Sequence, residues 1–175
     1  MMKYGSYNYN SLAFIPSEIA YGVDQTLSAG YVSTYLGYWG TWYQGIAKTN
    51  KALDCLKRFG QMSDEDKIRL EAEIKFVRAS LYFDLVKRYK DIIIYDEDLL
   101  AYSKDKAVST ESEAWEFIYQ DPKFAADNLP AREAAKGRLN KGMAWAFMTR
   151  AMLYAERWDD VKAAAEEVEK LGYSL

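Results

Sequence analysis

From Trp42 onward the apolar side chains recur at helical intervals. Trp42, Ile46, Thr49, Leu53 and Leu56 are spaced by fours and threes, which lines them along one side of a helix. Gly60 stands where that helix would stop. Ser63-Asp64-Glu65-Asp66 has the form of a capping box: a hydroxyl for the free N–H groups of a first turn, and an acid three residues on. Behind it Leu70, Ile74, Val77, Leu81 and Leu85 predict the apolar stripe of a long helix ending near Tyr89. The stretch DIIIY, Asp91 to Tyr95, is short and β-branched, and predicts an extended segment laid on the helices rather than a sheet.

The second half repeats this alternation. Thr110-Glu111-Ser112-Glu113 is another capping box, opening a helix with Ala114, Trp115 and Ile118 on one side. Pro122 should kink that helix or break it in two, since it lacks a donor and clashes with the preceding turn. Leu129-Pro130 ends it. Gly137 and Asn140 precede a helix through Ala144, Met148, Ala151 and Ala155, and a break at Arg157 leads to a last one through Val161, Ala164, Ala165, Val168 and Leu171, closed by Gly172. The pattern predicts an all-α fold of antiparallel helix pairs. Trp145 and Trp158 are 13 residues apart, as are two large-aromatic slots of the tetratricopeptide repeat, and Ala165 follows seven later. Thr149 and Met152 fill slots that usually hold Gly and Tyr. Solenoids of this type expose a concave face and bind other proteins.

The front of the chain has a different texture. Between Tyr4 and Ala47 the only charged residues are Glu18 and Asp24, yet eight of the 15 tyrosines lie there with Trp39 and Trp42. Sugars offer apolar C–H faces and rings of hydroxyls, so flat amphipathic rings and neutral hydrogen-bonding groups suit them. Glycines beside the rings let the backbone approach closely. Tyr35, Tyr38 and Trp39 precede the first helix and lack its period, which makes them the leading candidates to stack on a glycan; Tyr7, Tyr9 and Tyr31 follow. Trp42, Tyr43 and Ile46 match the helical stripe and are assigned to the core. Asn50 reads as a buried polar group satisfied by neighbouring backbone, and Arg78 as a structural ion-pair partner. The charge runs Asp64 to Lys67 and Glu166 to Lys170 read as solvated helix faces.

Half of the 175 residues are hydrophobic and 28% are charged, which places the chain among globular proteins with one core. The net charge of −3 offers no basic excess to displace phosphate counterions, so nucleic acid is not an expected partner. No histidine is present, which removes the commonest general base and metal ligand, so any enzyme would have to rest on carboxylates, tyrosine, serine or lysine alone; no metal or cofactor is expected. Cys55, the one cysteine, falls in helical pattern and is assigned to core packing. No run of about 18 apolar residues is present to span a membrane, and MMKYGSYNYNSLAF carries no export signal.

Four segments together resemble one family. RLEAEIKFVRASLYFDLVKRYKDIIIYDED (69 to 98) is similar to a signature of the form F-L-R-A…Y-F-x-L-V…Y-G-D-x-P, its places held by Phe76, Val77, Arg78, Ala79, Tyr82, Phe83, Leu85, Val86, Tyr89 and Asp91. AWEFIYQDPKFAADNLPAR resembles the next block, I-x-x-D-L-x-x-A-x-x-x-L-P. The segment from Gly137 to Leu175 resembles the helix pair after that, ending on G-x-Y-x-L, and WYQGIAKTNKAL resembles an earlier W-x-x-x-Y…I-x-x-x-N helix. The family is that of the SusD/RagB-like outer-membrane proteins of Bacteroidetes. Lys90 and Ile94 replace the usual Gly and Pro of the turn, and Pro122 stands where Leu or Phe is usual. Small local changes are expected from these, with the fold kept.

The resemblance, from about residue 40 to the end, implies a SusD-like fold with tetratricopeptide-like helices and an irregular aromatic-rich N-terminal segment. Residues 1 to 175 are then a single N-terminal helical domain, without the lipoprotein signal, lipidated cysteine and C-terminal part of the family. It also implies a cell-surface, outer-membrane lipoprotein without catalytic residues, bound to the membrane only through a lipid anchor this chain lacks. Such a protein captures nutrient, typically glycan, and passes it to a SusC-like TonB-dependent transporter that the helices face. Two other classes compete. A helical-repeat scaffold binding a cytosolic protein explains the helices but not the tyrosine-rich front. A glycoside hydrolase would need paired carboxylates, and all 26 acids sit in amphipathic patterns.

Overall fold

The structure, a computed structural model, describes residues 38–97, 105–132 and 137–173. The chain divides into two units, Met1–Gly40 and Thr41–Leu175. Among the described residues there are five helices and no strand: α1 Trp39–Phe59, α2 Asp64–Tyr89, α3 Glu111–Asn128, α4 Lys141–Tyr154 and α5 Trp158–Lys170. This is the all-α architecture that the periodicity predicts.

Each helix start has a local cause. Ser63 Oγ accepts from the Asp66 N–H at 3.1 Å, the first half of a capping box; the return bond goes to the serine hydroxyl instead of its backbone. Thr110 and Glu113 complete both halves, and these bonds hold the Glu113 carboxyl below its usual value. Asn140 caps α4 through the Met143 N–H at 2.9 Å. Arg157 gives α5 no side-chain cap.

The helices stack as antiparallel neighbours because each link returns the chain to where it left. The isolated bridge between Ile92 and Ser109 joins the two ends of the α2–α3 connection. The Lys141 N–H donates to the Pro130 carbonyl at 2.9 Å, tying the end of α3 to the start of α4. A tight turn at Ala155–Arg157 reverses α4 into α5, with Glu156 at φ 57°. Between α2, α3 and α4 the contact is made of small residues: Ala72, Ala125, Ala126 and Ala144 are wholly buried with Leu129, and Phe76, Phe124, Leu139 and Trp145 close over them. Alanines let the helices approach, and the rings fill the remaining space at the close density of protein interiors. Further along, Phe83 meets Trp115, Phe147 and Tyr154 at centroid distances of 6.0, 5.5 and 5.3 Å in edge-on geometry.

The segment after α2 is extended, and two tyrosines explain why it needs no sheet. Tyr43 on α1 donates its hydroxyl proton to the Ile93 carbonyl and accepts the Ile93 N–H, both at 2.8 Å. Tyr82 on α2 does the same for Tyr95, at 2.9 and 2.7 Å. Residues 93 and 95 are two apart, the repeat of a strand, so two hydroxyls satisfy the groups that a neighbouring strand would otherwise pair.

Four expectations are corrected here. Cys55 is exposed, not core: the buried positions of α1 are Ile46, Asn50 and Leu53, and residue 55 lies two further, about 200° around the helix. Val77 is also exposed, and α2 does not bury the predicted stripe of Leu70, Ile74, Val77, Leu81 and Leu85 as a unit. Its buried residues are Ala72, Arg78, Ala79, Tyr82, Phe83, Leu85 and Val86, a wide face whose small and polar members a hydrophobic pattern overlooks. Of the two outcomes expected at Pro122, a kink or a break, the break does not occur: α3 runs unbroken through it. It removes one backbone bond, and burial of Asp121, Pro122, Ala125 and Ala126 holds both halves in place. Trp158 is mostly exposed, so one of the two repeat-like aromatic slots is not a packing position.

Candidate functional site

Of the six rings expected to meet a ligand, Tyr38 stands in the turn before α1 and Trp39 is its first residue. Both are half-buried, neither is sealed from solvent, and both interact with other groups. Tyr7, Tyr9, Tyr31 and Tyr35 lie outside the described residues. Tyr43 and Ile46 are packed as expected; Trp42 is half-buried with the Arg88 guanidinium 4.7 Å from its ring.

The second unit contains a buried polar seam. Arg78, 2% exposed, sends Nε and Nη2 to the two oxygens of Asp121 at 2.7 and 2.8 Å and Nη1 to Asn50 Oδ1 at 2.8 Å. Asn50 Nδ2 donates onward to the Tyr95 carbonyl at 2.9 Å, and Glu97 reaches Arg78 at 3.2 Å. Burial pulls the Arg78 guanidinium toward neutrality, but the bonds and charge of Asp121 outweigh it and its pKa rises. Burial pushes the Asp121 carboxyl upward, against the pull of Arg78. Arginine does not release its proton near neutral pH, so the geometry is that of a two-pronged ion pair. The side-chain groups of Arg78, Asp121 and Asn50 are bonded to one another or to backbone, which fits the structural roles expected of Asn50 and Arg78.

A groove that the sequence did not indicate opens between the end of α2, the start of α3 and the α4–α5 turn. It has a volume of about 870 Å³ and is lined by residues that include Lys90, Glu113, Trp115, Tyr154, Glu156 and Arg157. Tyr154 is 56% exposed. Arg157 is bonded to Asp160 at 2.6 Å and to Glu116 at 2.7 Å, and lies over the Tyr119 ring at 4.5 Å. The Glu116 carboxyl is held below its usual value, chiefly by the bond from Gln120 and then by Arg157. Among the described residues the only non-glycines with positive φ are Lys90 at 58° and Glu156 at 57°, and both line this groove.

Among the described residues no group of three or more acidic or cysteine side chains is arranged to hold a metal ion. None of the described helices is long and apolar enough to cross a membrane.

Residues 6–153 match the SusD-like family described as "Starch-binding associating with outer membrane". A SusD-like protein of Formosa agariphila is 31% identical over 129 residues, covering 71% of this chain and 25% of that one. Among solved structures, a SusD-like protein of Bacteroides fragilis superimposes with a TM-score of 0.72 at 37% identity, over 78% of this chain and 27% of the other. A laminarin-binding SusD-like protein gives 0.71 at 28% identity, over 79% and 32%. The chain thus spans about a quarter to a third of the length of these relatives.

Proposed function

The chain belongs to the SusD-like family, and from that premise we propose that it is the N-terminal helical domain of a cell-surface protein that captures glycan without altering it. The carrying observation is the family match over residues 6–153, which takes in both the aromatic front and the first four helices. The laminarin bound by one similar protein and the starch in the family's description point to neutral glucans as the first ligands to test. Tyr38 and Trp39, with Tyr7, Tyr9, Tyr31 and Tyr35, supply the stacking surface in this reading. A ring face laid on a sugar's C–H face desolvates both at small entropic cost.

The partner is a SusC-like TonB-dependent transporter in the outer membrane, with the helical stack as the docking element and a lipid anchor as the only attachment to the bilayer. The buried ion-pair seam and the alanine contact between α2, α3 and α4 favour this, because docking needs a stack that holds its shape. Affinity electrophoresis against laminarin and starch tests the ligand. Retardation by either is the expected result, and a Trp39→Ala variant should move more freely; free migration of the wild-type chain in both gels refutes glycan capture. Co-purification of a TonB-dependent transporter from a Bacteroidetes outer-membrane extract tests the partner.

A further inference from the structure

We propose that the groove between α2, α3 and the α4–α5 turn is a second saccharide-binding site, one that takes a short neutral oligosaccharide. The inference rests on the glycan reading above but involves none of the residues that reading names. Its volume of about 870 Å³ lies within the range of small-ligand sites. Tyr154, which lines the groove, is more than half exposed, and its ring packs at right angles to Phe83 at 5.3 Å with the Lys87 amine 5.7 Å from its centroid. The polar groups around it are long-armed donors and acceptors. Among the described residues Lys90 Nζ reaches only a distant contact with Glu111 at 4.0 Å, and the Glu156 carboxylate has no partner. An aromatic platform rimmed by an under-used amine and carboxylate matches the faces and hydroxyls of a sugar ring.

The backbone adds a separate argument. Lys90 and Glu156 come from different turns, distant in sequence, and each holds a positive φ that favours glycine. Strain of this kind costs on the order of the worth of a hydrogen bond and clusters where a side chain is needed for function. At Lys90 the related signature has glycine, so the unstrained alternative is ordinary for this turn. Two strained turns converge on one groove, and each places there a side chain that glycine would not supply.

Charge narrows the ligand. Carboxylates from Glu111, Glu113, Glu116 and Glu156 outnumber Lys90 and Arg157, and Arg157 is already committed to Asp160 and Glu116. Sugars bearing carboxylate or sulfate are therefore disfavoured, and uncharged ones accepted.

The test is a nuclear magnetic resonance titration of the whole chain with laminarin, starch and xyloglucan oligosaccharides, alongside a Lys90→Gly/Glu156→Gly variant. The backbone strain predicts that this variant melts higher than wild type, so loss of binding cannot be put down to misfolding. With the wild-type chain, amide resonances of Lys90, Tyr154 and Glu156 should shift with at least one oligosaccharide. In the variant the affinity read from groove resonances should fall by about tenfold, the worth of one or two polar contacts. An alginate oligosaccharide should leave the groove resonances unmoved. If an oligosaccharide shifts resonances elsewhere but not in the groove, or the variant binds in the groove as tightly as wild type, the second site is refuted and glycan capture stands. If no resonance moves with any of the three neutral ligands, glycan capture fails and the second site with it.

Discussion

The seam around Arg78 and the groove beside Lys90 are both polar, and both draw on α2, α3 and the segment between them. In the seam, charge turns inward. Arg78, Asp121, Asn50 and the Tyr95 carbonyl satisfy one another away from water, and the helices close over them. In the groove the side chains turn outward, Glu156 has no partner among the described residues, and the backbone at two positions is in a conformation that suits glycine. The first arrangement spends every hydrogen bond on holding helices together. The second leaves groups available and tolerates strain to do so. Polar residues in one helical stack are thus divided between fold and surface by where their bonds end, not by residue type.

The sharpest way to break this contrast is at Asp121. Asp121→Ala leaves the Arg78 guanidinium buried and largely uncompensated, and removing one partner of such a pair costs about 3–5 kcal/mol. Urea denaturation should show a loss of this size, whereas removing the half-exposed Glu116 from Arg157 should cost about 0–1 kcal/mol. Equal losses would mean that the seam is no more structural than the groove. A double Arg78→Met/Asp121→Leu variant should lose less than Asp121→Ala, because no charge is then stranded.

Next in size is the pair of tyrosine hydroxyls. Tyr82 is wholly buried, and Tyr82→Phe orphans the N–H and one acceptor bond of Tyr95. A loss of about 1–3 kcal/mol is expected in the same assay. Tyr95 keeps the bond from Asn50 Nδ2 to its carbonyl, so an effect at the upper end would place the cost on the N–H. A loss below about 0.5 kcal/mol would show that water replaces the hydroxyl and that the extended segment does not depend on it.

Much of the fold was legible because helix ends and helix faces are local. Thr110 with Glu113, Asn140, Gly60 and the β-branched run after Asp91 marked where elements start and stop, and those marks hold. What was not legible depends on which sides of a helix meet neighbours. The burial of Arg78 and Ala72 on α2 follows from packing against more than one element, and no single stripe encodes that. Cys55 was placed inside because it is apolar, although its angle from Leu53 puts it outside. The groove was invisible for a stronger reason. Lys90, Trp115, Tyr154 and Glu156 come from turns and helix ends more than 20 residues apart or from opposite ends of a turn, and nothing in a linear pattern reports a positive φ at a lysine or a glutamate.

Lys90→Gly separates strain from ligand binding in the absence of any ligand. Glycine takes a positive φ freely and removes only the long contact to Glu111, so stability should rise by about 1 kcal/mol. The same substitution at Lys87, with ordinary helical backbone one turn earlier, should lower stability by about 1 kcal/mol. Opposite signs at neighbouring lysines, read as midpoint shifts in urea, would locate the strain at residue 90. A loss at both positions would mean that the turn is relaxed and that its side chain needs no special explanation.

The smallest effect separates the two regions by pH. The Tyr43 hydroxyl is pushed up to about 12, mainly by burial, with the hydrogen bond it accepts from the Ile93 N–H pulling the other way. Below pH 10 folded and unfolded chains both keep this proton, and the tyrosine contributes its full stabilisation. Above about 10 the unfolded chain releases the proton while the folded chain holds it. That contribution is therefore lost progressively as pH rises toward 12. Tyr43→Phe should be less stable than wild type at pH 8, where both hydroxyl bonds are intact, and the difference should shrink by pH 11. The Glu113 carboxyl is held below its usual value by its bonds to Thr110, well away from this window, so Glu113→Gln should leave the alkaline slope unchanged. An unchanging gap between Tyr43→Phe and wild type from pH 8 to 11 would show that the hydroxyl meets water, and that the clamp on the extended segment is more open than its two 2.8 Å bonds imply.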